Sequence, residues 1–347
     1  MEQFKSFITE KEHPYKLLIL SHDDPLDPNE TGALIRKKAS ELGLNVYLAE
    51  FSGMYMEGDG DNKLVYSFPV DENGKVELPT MKSDAKYDKP FKINPNDTLI
   101  MARGLGSSVN TGNRSWYIAI KTLESDGYTI FNSTKCHDIC NDKWYNQVIF
   151  QQNNFNTPTT VLIRHSEGAE IAAKKLGNKF PMILKTSIGS RGVGVMLVES
   201  LKSLHSIVQL LHRENEFVDV ILQEWIKTEY DVRVIVASGQ IIGAIKRPIV
   251  NDDFRSNVSQ GSEPTEHELT DLEISESLRA AKAVDGMIVG VDFIPSKNRD
   301  KEVPIMIEVN STPGLIGIEE ALKDNKKSIT TEILKIFMNR DNWRMKW

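Results

Sequence analysis

Cysteine is scarce in this chain: among 347 residues there are two, Cys136 and Cys140, four apart in Cys-His-Asp-Ile-Cys. So few thiols exclude a disulfide-stapled scaffold, and with His137 they stand one ligand short of a closed zinc site. They read as reduced thiols near one helix turn, which fits a cytoplasmic protein. Long apolar runs are missing as well. No stretch approaches the roughly 20 apolar residues of a membrane span, and the N-terminal Met-Glu-Gln-Phe-Lys-Ser-Phe-Ile-Thr-Glu-Lys-Glu lacks the apolar core of a signal peptide. A basic excess is also missing: 42 Lys and Arg face 49 Asp and Glu, a formal charge of −7. No global field draws in nucleic acid or an anionic bilayer, so any phosphate must be bound locally. What is present is the composition of an ordinary globular protein, 40% apolar and 26% charged, with 22 glycines and 14 prolines. At roughly 150 residues per domain, the length suits two or three domains.

The opening reads as a β-α-β unit of an α/β domain. An apolar strand over Tyr15 to Leu20 precedes a helix near Thr31 to Leu42, with Ile35, Ala39 and Leu42 at helical spacing, and Gly43 then ends the helix before a strand over Asn45 to Ala49. Leu64 to Phe68 and Lys75 to Leu78 flank Asn73-Gly74, a favoured two-residue hairpin turn, so this stretch reads as a β insertion. Thr98 to Ala102 is another strand and runs into Arg103-Gly104-Leu105-Gly106-Ser107-Ser108 before a helix around Trp116 to Leu123. Ligands in open α/β sheets bind beyond the carboxyl ends of strands, where Arg103 could hold a carboxylate by a two-pronged contact; a plain surface loop is the other reading. Tyr128 to Phe131 is one more strand. A helix around Asp142 to Asn153 then leads to Asn156-Thr157-Pro158, and a new strand–helix–strand pattern follows over Thr160 to Ile163, Glu167 to Leu176 and Met182 to Thr186.

Between Met182 to Thr186 and Val195 to Val198 lies Ser187-Ile188-Gly189-Ser190-Arg191-Gly192-Val193-Gly194. A dinucleotide fingerprint or Walker loop must run from a strand into a helix, whereas here a strand follows. The loop is therefore a hairpin tip, and glycine lets its backbone N–H groups close over phosphates; an ordinary turn is the bland alternative. Protein kinases share such a hairpin, but their lysine comes after it and they require H-R-D and D-F-G, which this chain lacks. Its lysine, Lys185, comes just before.

A second strong feature is Pro304-Ile305-Met306-Ile307-Glu308-Val309-Asn310. Alternation along a strand places Glu308 and Asn310 on one face, an oxygen pair suited to Mg²⁺. Upstream, Asp292 interrupts the apolar strand Ile288 to Ile294, where a charge is costly unless paired or metal-bound. Between the two motifs lie Leu222-Gln223-Glu224-Trp225-Ile226, a strand passing into a connector that can offer backbone groups to adenine, and a hairpin around Ser238-Gly239. The hairpin ends in Lys246-Arg247, followed by Asp252-Asp253-Phe254-Arg255-Ser256-Asn257, which reads either as an anion clamp or as a solvated loop.

In order and spacing, Lys143, Lys185, the glycine hairpin, Gln223-Glu224-Trp225-Ile226, Asp231-x-Arg233, Asp253-Phe254-Arg255-Ser256-Asn257, Asp292 and Glu308-x-Asn310-x-x-Pro313-Gly314 resemble the ATP-grasp superfamily. The likeness is greatest to the RimK-like α-L-glutamate ligases that modify a ribosomal protein. It runs from about Thr98 to the C-terminus. It implies a mixed α/β and α+β protein: an N-terminal α/β domain over 1–134 with a β insertion around 54–95, then ATP-grasp subdomains over 135–220 and 221–347 that hold the nucleotide between them. It further implies adenine at Glu224 to Ile226 with Gln223 beside it, ribose near Asp231, and phosphates on Lys143, Lys185, Gly189, Ser190, Arg191, Gly192, Gly194 and Arg255. Two Mg²⁺ ions, replaceable by Mn²⁺, would sit on Asp292, Glu308 and Asn310. Arg255, Asn257 and Arg247 would act in catalysis, and Arg103 and Arg247 would hold substrate carboxylates. The implied activity is an ATP-dependent carboxylate–amine ligase working through an acyl phosphate. Its partners would be an amino acid, glutamate above all, and an acceptor carboxylate on a protein C-terminus or small molecule, with a homo-oligomer compatible. The other reading is a non-catalytic ATP sensor of the same fold. Two features depart from the pattern: a longer N-terminal region, and Lys246 where the ribosomal-protein enzymes carry an acid before the arginine.

Overall fold

The structure is a computed structural model that describes residues 14–343, apart from 22–29, 51–53, 59, 68–89, 104–114, 190–193, 216–217, 250–262 and 324–327. The expected Asn73-Gly74 turn, the loop after Arg103, the hairpin tip at Ser190, Arg191 and Gly192, and the segment with Arg255 and Asn257 lie outside the described residues. Those described fall into two compact units, one up to Arg103 together with Ser115–Phe131 and one from Asn132 onward.

The first unit contains the expected β-α-β start: β1 (Lys16–Ser21), α1 (Glu30–Glu41) and β2 (Asn45–Glu50). Three short strands follow, β3 (Tyr55–Glu57), β4 (Lys63–Tyr66) and β5 (Phe91–Ile93), then β6 (Thr98–Ala102), α2 (Ser115–Ser125) and β7 (Thr129–Phe131). The strands β2-β1-β6-β7 form a parallel sheet, and β3-β4-β5 a separate antiparallel one inserted between β2 and β6. Leu17 to Leu20 and Leu99 to Ala102 are buried throughout, the unbroken apolar run that a sheet covered on both faces requires.

The second unit begins with α3 (Thr134–Asn141) and α4 (Lys143–Gln152). The single helix expected over Asp142 to Asn153 is thus preceded by another. Asp142 separates them because its extended backbone and side chain suit an N-cap: its carboxylate accepts from the N–H groups of Trp144 and Tyr145 at 2.8 and 3.0 Å. Next come β8 (Thr160–Ile163), α5 (Gly168–Lys175), β9 (Met182–Thr186), β10 (Val195–Val198), α6 (Leu201–Glu214) and β11 (Val220–Glu224). These strands form an antiparallel sheet in the order β10-β9-β11-β8, over an aliphatic core that includes Leu184, Val198, Leu204 and Leu222. Since β11 completes this sheet, a boundary at 220/221 would cut through a strand; sheet membership changes after Glu224.

The long strands β12 (Tyr230–Ala237) and β13 (Gln240–Pro248) then form a hairpin. Its two turn residues, Ser238 and Gly239, both take positive φ, 45° and 72°, as a two-residue turn matched to strand twist requires. With β14 (Thr265–Glu266), α7 (Asp271–Ala283), β15 (Ile288–Ile294) and β16 (Ile305–Asn310) they build the sheet β14-β13-β12-β15-β16. Val232, Val234, Val291, Phe293 and Val309 bury one face against α3, α4 and α7. The opposite face takes α8 (Ile316–Ala321) and α9 (Ile329–Phe337), admitted by Gly243, where a Cβ would meet Ile329 at 2.8 Å. Among the described residues no helix is long and apolar enough to cross a membrane.

Candidate functional site

Lys143 is the first residue of α4. A cation there opposes the helix dipole, which already favours anions at that end. The turn after β9 pins this helix start in place: Ser187 Oγ donates to the Asp142 carboxylate at 2.5 Å, and the backbone N–H of Lys143 donates to Ser187 O at 2.9 Å. Lys143 Nζ in turn donates to the Gly189 carbonyl at 2.6 Å, so lysine and glycine hairpin form one unit. The second lysine, Lys185 on β9, donates to Gln223 Oε1 of β11 at 2.7 Å, and Gln223 Nε2 reaches Thr160 at 2.8 Å. Both lysines thus have neutral hydrogen-bond acceptors. Burial lowers both pKa values, that of Lys185 to about 8, against the opposing pull of Glu308. The charge of Lys143 adds to the lowering at Lys185.

Glycine is required at position 194, where φ is +76° and a Cβ would lie 2.5 Å from Thr186 Oγ1. That hydroxyl donates to the Ile188 carbonyl at 2.8 Å, while Thr186 N–H donates to Gly194 O at 3.1 Å, which closes the hairpin neck. Gly189 also lies at positive φ, 149°. At the end of β11, the Glu224 N–H donates to Thr159 O at 2.9 Å, and Trp225 and Ile226 continue half-buried into the connector.

The five-stranded sheet carries the acidic half. Asp292 and Glu308 are paired across β15 and β16, and Asn310 Nδ2 lies 3.4 and 3.2 Å from their carboxylate oxygens. A register shift leaves Ile307 unpaired just before Glu308, the kind of bulge that re-aims a side chain at a site. The buried charge of Asp292 is already paired: Arg233 grips it through Nε at 2.7 Å and Nη2 at 2.5 Å, and Arg247 Nη2 reaches it at 3.1 Å. Of the two ways the sequence left open for a buried charge here, pairing or a metal, the structure shows pairing, so its burial alone does not call for a metal. Arg247 closes a second fork onto Asp231, at 2.7 and 2.6 Å. Burial opposes charge on Asp292, but the two guanidinium groups outweigh it and lower its pKa; likewise Arg247 rises, its aspartates overcoming desolvation. Arg247 and Asp231, expected at a substrate carboxylate and a ribose, thus hold each other in the structure. Arg233, part of the Asp-x-Arg string, had no role assigned from sequence, and only its strand position could have flagged it.

As metal ligands, Asp292, Glu308 and Asn310 offer hard oxygens on one sheet face, a donor set that fits Mg²⁺. Each carboxylate oxygen has two lone pairs, so the arginines leave Asp292 acceptor capacity, and rotating the Asn310 amide would present its oxygen. Lys246 faces elsewhere: it pairs with Val232, whose side chain enters the core, and its Nζ lies 5.2 Å from the Tyr230 ring centroid. The departure at this position therefore points away from the acidic cluster. In the first unit, Arg103 is buried at the end of β6, and desolvation pushes its pKa down to about 10. Cys136 and Cys140 are free thiols with sulfurs 3.9 Å apart, the Cys140 thiol pushed up by burial, Cys136 and Glu308.

Comparison with known proteins gives the family and the fold. A probable α-L-glutamate ligase of Haemophilus ducreyi is 30% identical over 245 residues, covering 68% of this chain and 75% of the relative. The ATP-grasp ligase PsnB, solved with a precursor variant, Mg and ADP, superposes with a TM-score of 0.65 at 16% identity, covering 95% of this chain and 99% of its own. The D-alanine–D-alanine ligase of Bacillus anthracis with ATP gives 0.59 at 14% identity over 93% and 96% of the two chains. The two structural likenesses show the fold. The profile of the RimK-like ATP-grasp domain matches residues 140–336, from the end of α3 to α9, and the chain belongs to that family.

Proposed function

We propose that this ATP-dependent ligase joins an amino acid, glutamate above all, to a carboxylate on a protein C-terminus or small acid through an acyl phosphate. The observation that carries the reading is the pair Lys143 and Lys185, desolvated and held by neutral partners at the glycine hairpin, within electrostatic reach of Glu308. The glutamate-ligase name of the Haemophilus relative and the precursor complexes of PsnB support an amino-acid or peptide substrate. The two free thiols are consistent with a cytoplasmic setting.

In this reading an acceptor carboxylate oxygen bonds to the γ-phosphorus as the bond to the bridging oxygen of ADP breaks. The amine nitrogen then bonds to the acyl carbon, phosphate leaves with its oxygen, and the amine loses a proton. Lys143, Lys185 and the backbone around Gly189 and Gly194 hold the phosphates, Glu224 to Ile226 take adenine, and Asp231 takes ribose. Asp292, Glu308 and Asn310 would hold Mg²⁺, with Mn²⁺ as substitute and a second ion at the same oxygens. When bound, the metal neutralises charge on the transferring phosphoryl group. Arg247 holds the acceptor carboxylate by exchanging one of its aspartates for it. Arg255 and Asn257 serve the acyl phosphate, and Arg103 a second carboxylate.

The test replaces the amine by hydroxylamine, with ATP, Mg²⁺ and candidate acids: hydroxamate should form in step with ADP and phosphate, and Glu308→Gln should abolish it. Release of AMP and pyrophosphate would overturn the mechanism.

A further inference from the structure

The strand that carries Glu308 and Asn310 is the edge of its sheet, with β15 on one side and no strand on the other among the described residues. An edge strand is free to shift unless something holds its outer groups. Here the Met306 N–H donates to the Asn156 carbonyl at 2.8 Å, and side chains hold the stretch that follows Glu308. The Asn146 amide of α4 donates to the Val309 carbonyl at 3.1 Å. The Asn132 amide donates to the Ser311 carbonyl at 2.5 Å and to Ile288 O at 2.7 Å, while its own oxygen accepts from the N–H groups of Met287 and Ile288 at 2.7 and 3.0 Å. His137 Nδ1 lies 2.9 Å from Ser311 Oγ. The carbonyls gripped are those immediately before and after the backbone of Asn310. Asn132, beyond the last ladder pair Gly290–Asn310, ties the start of β15 to the end of β16.

Asn132, His137 and Asn146 are each at most 2% exposed. Asn132 satisfies both its donor and its acceptor capacity. Asn146 does not: its Oδ1 is buried with no hydrogen-bond partner among the described residues. The hydrogen bond this buried amide makes is thus through its N–H group, and an apolar side chain of similar size would remove the orphan oxygen.

We infer that Asn132 and Asn146, with His137 at Ser311, are positioning residues that fix the β16 backbone so that Glu308 and Asn310 present their oxygens to the metal. This rests on the proposed metal site and adds to it residues that touch neither ion nor substrate.

The decisive variant is Asn146→Leu, which removes the donor and the orphan oxygen together. Mn²⁺ binding to the protein–ADP complex, followed by the loss of the free-ion paramagnetic resonance signal, should weaken about tenfold, the usual effect of losing an outer partner at a metal site. The melting temperature should stay within about 4 °C of wild type, and ADP affinity in EDTA should not change. Asn132→Asp, which turns an acceptor oxygen onto two carbonyls, should weaken Mn²⁺ at least as much; if it fails to fold, Asn146→Leu decides. Ile333→Ala, on the buried face of α9, supplies loss of stability alone and should leave Mn²⁺ affinity intact. If Glu308→Gln loses Mn²⁺ while Asn146→Leu stays within about twofold of wild type, the positioning role is wrong and the metal site stands. If wild type binds Mn²⁺ with ADP no better than Glu308→Gln, the metal site itself is wrong and the positioning role falls with it.

Discussion

The two sheets of the second unit handle charge in opposite ways. On the β8–β11 sheet, Lys185 and its neighbour Lys143 keep neutral partners, and burial drags their pKa values down. On the β12–β16 sheet, two arginines and two aspartates close on each other in forks of 2.5 to 2.7 Å, and Arg247 and Asp292 are both held more firmly charged. The first arrangement is left short of negative charge; the second has already matched its own. In the proposed function, the polyphosphate of a nucleotide would supply what the lysines lack. The arginine–aspartate network must exchange partners before it can take anything.

The comparison breaks most visibly at Arg247. Arg247→Met takes one guanidinium away from buried Asp292 and half-buried Asp231, and removing one partner of a buried pair costs about 3–5 kcal/mol, to be read in urea unfolding. An unchanged midpoint would mean that the network contributes little to the fold. Lys185→Met should instead leave stability near wild type and lower ADP affinity by about ten- to a hundredfold in calorimetry, the loss of one charged hydrogen bond to phosphate. Gly194→Ala forces a side chain into positive φ against Thr186, for about 1–2 kcal/mol of destabilisation, and adding Thr186→Ala should recover part of it in the same melts.

The smallest effect sharpens the contrast through pH. Lys185 titrates at about 8 in the structure against an ordinary 10.5, so between those values the unfolded chain holds the proton more tightly. Its contribution to stability therefore rises as pH climbs from 8 to 10.5, the reverse of a paired lysine. Phosphates favour the charged form, so ADP should bind more weakly as pH rises through that pKa. Near it, binding should take up about half a proton, visible as a dependence of binding enthalpy on buffer, and Lys185→Met should abolish this. A flat profile in wild type would show that Lys185 is charged throughout.

Much of the site was legible in the chain. The glycine hairpin was readable because Met182–Thr186 and Val195–Val198 are apolar runs bounded by turn residues, and Glu308 and Asn310 because alternation along a strand is a local rule. Asp292 was located, but its partners were not: Arg233 and Arg247 reach it from two other strands, and nothing local says which cation will meet a buried acid. The same limit hid the break at Asp142, where a capping contact to Ser187, 45 residues away, accompanies a new helix start. Asn132 and Asn146 looked like ordinary polar residues because their partners, Ser311 and Val309, are more than 160 residues distant, at 179 and 163.

The sequence by itself determined the elements and their chemistry: apolar period sets strand or helix, glycine permits the hairpin, and residue type decides which groups can bind phosphate or a hard cation. Tertiary structure alone decided the state of those groups. Only packing β12, β13 and β15 side by side joins Arg233, Arg247, Asp231 and Asp292 into a neutral network, and only desolvation between α4 and β9 brings Lys143 and Lys185 below their ordinary pKa. Charge energetics depend on distance and local dielectric, and neither is a property of the chain until distant segments meet.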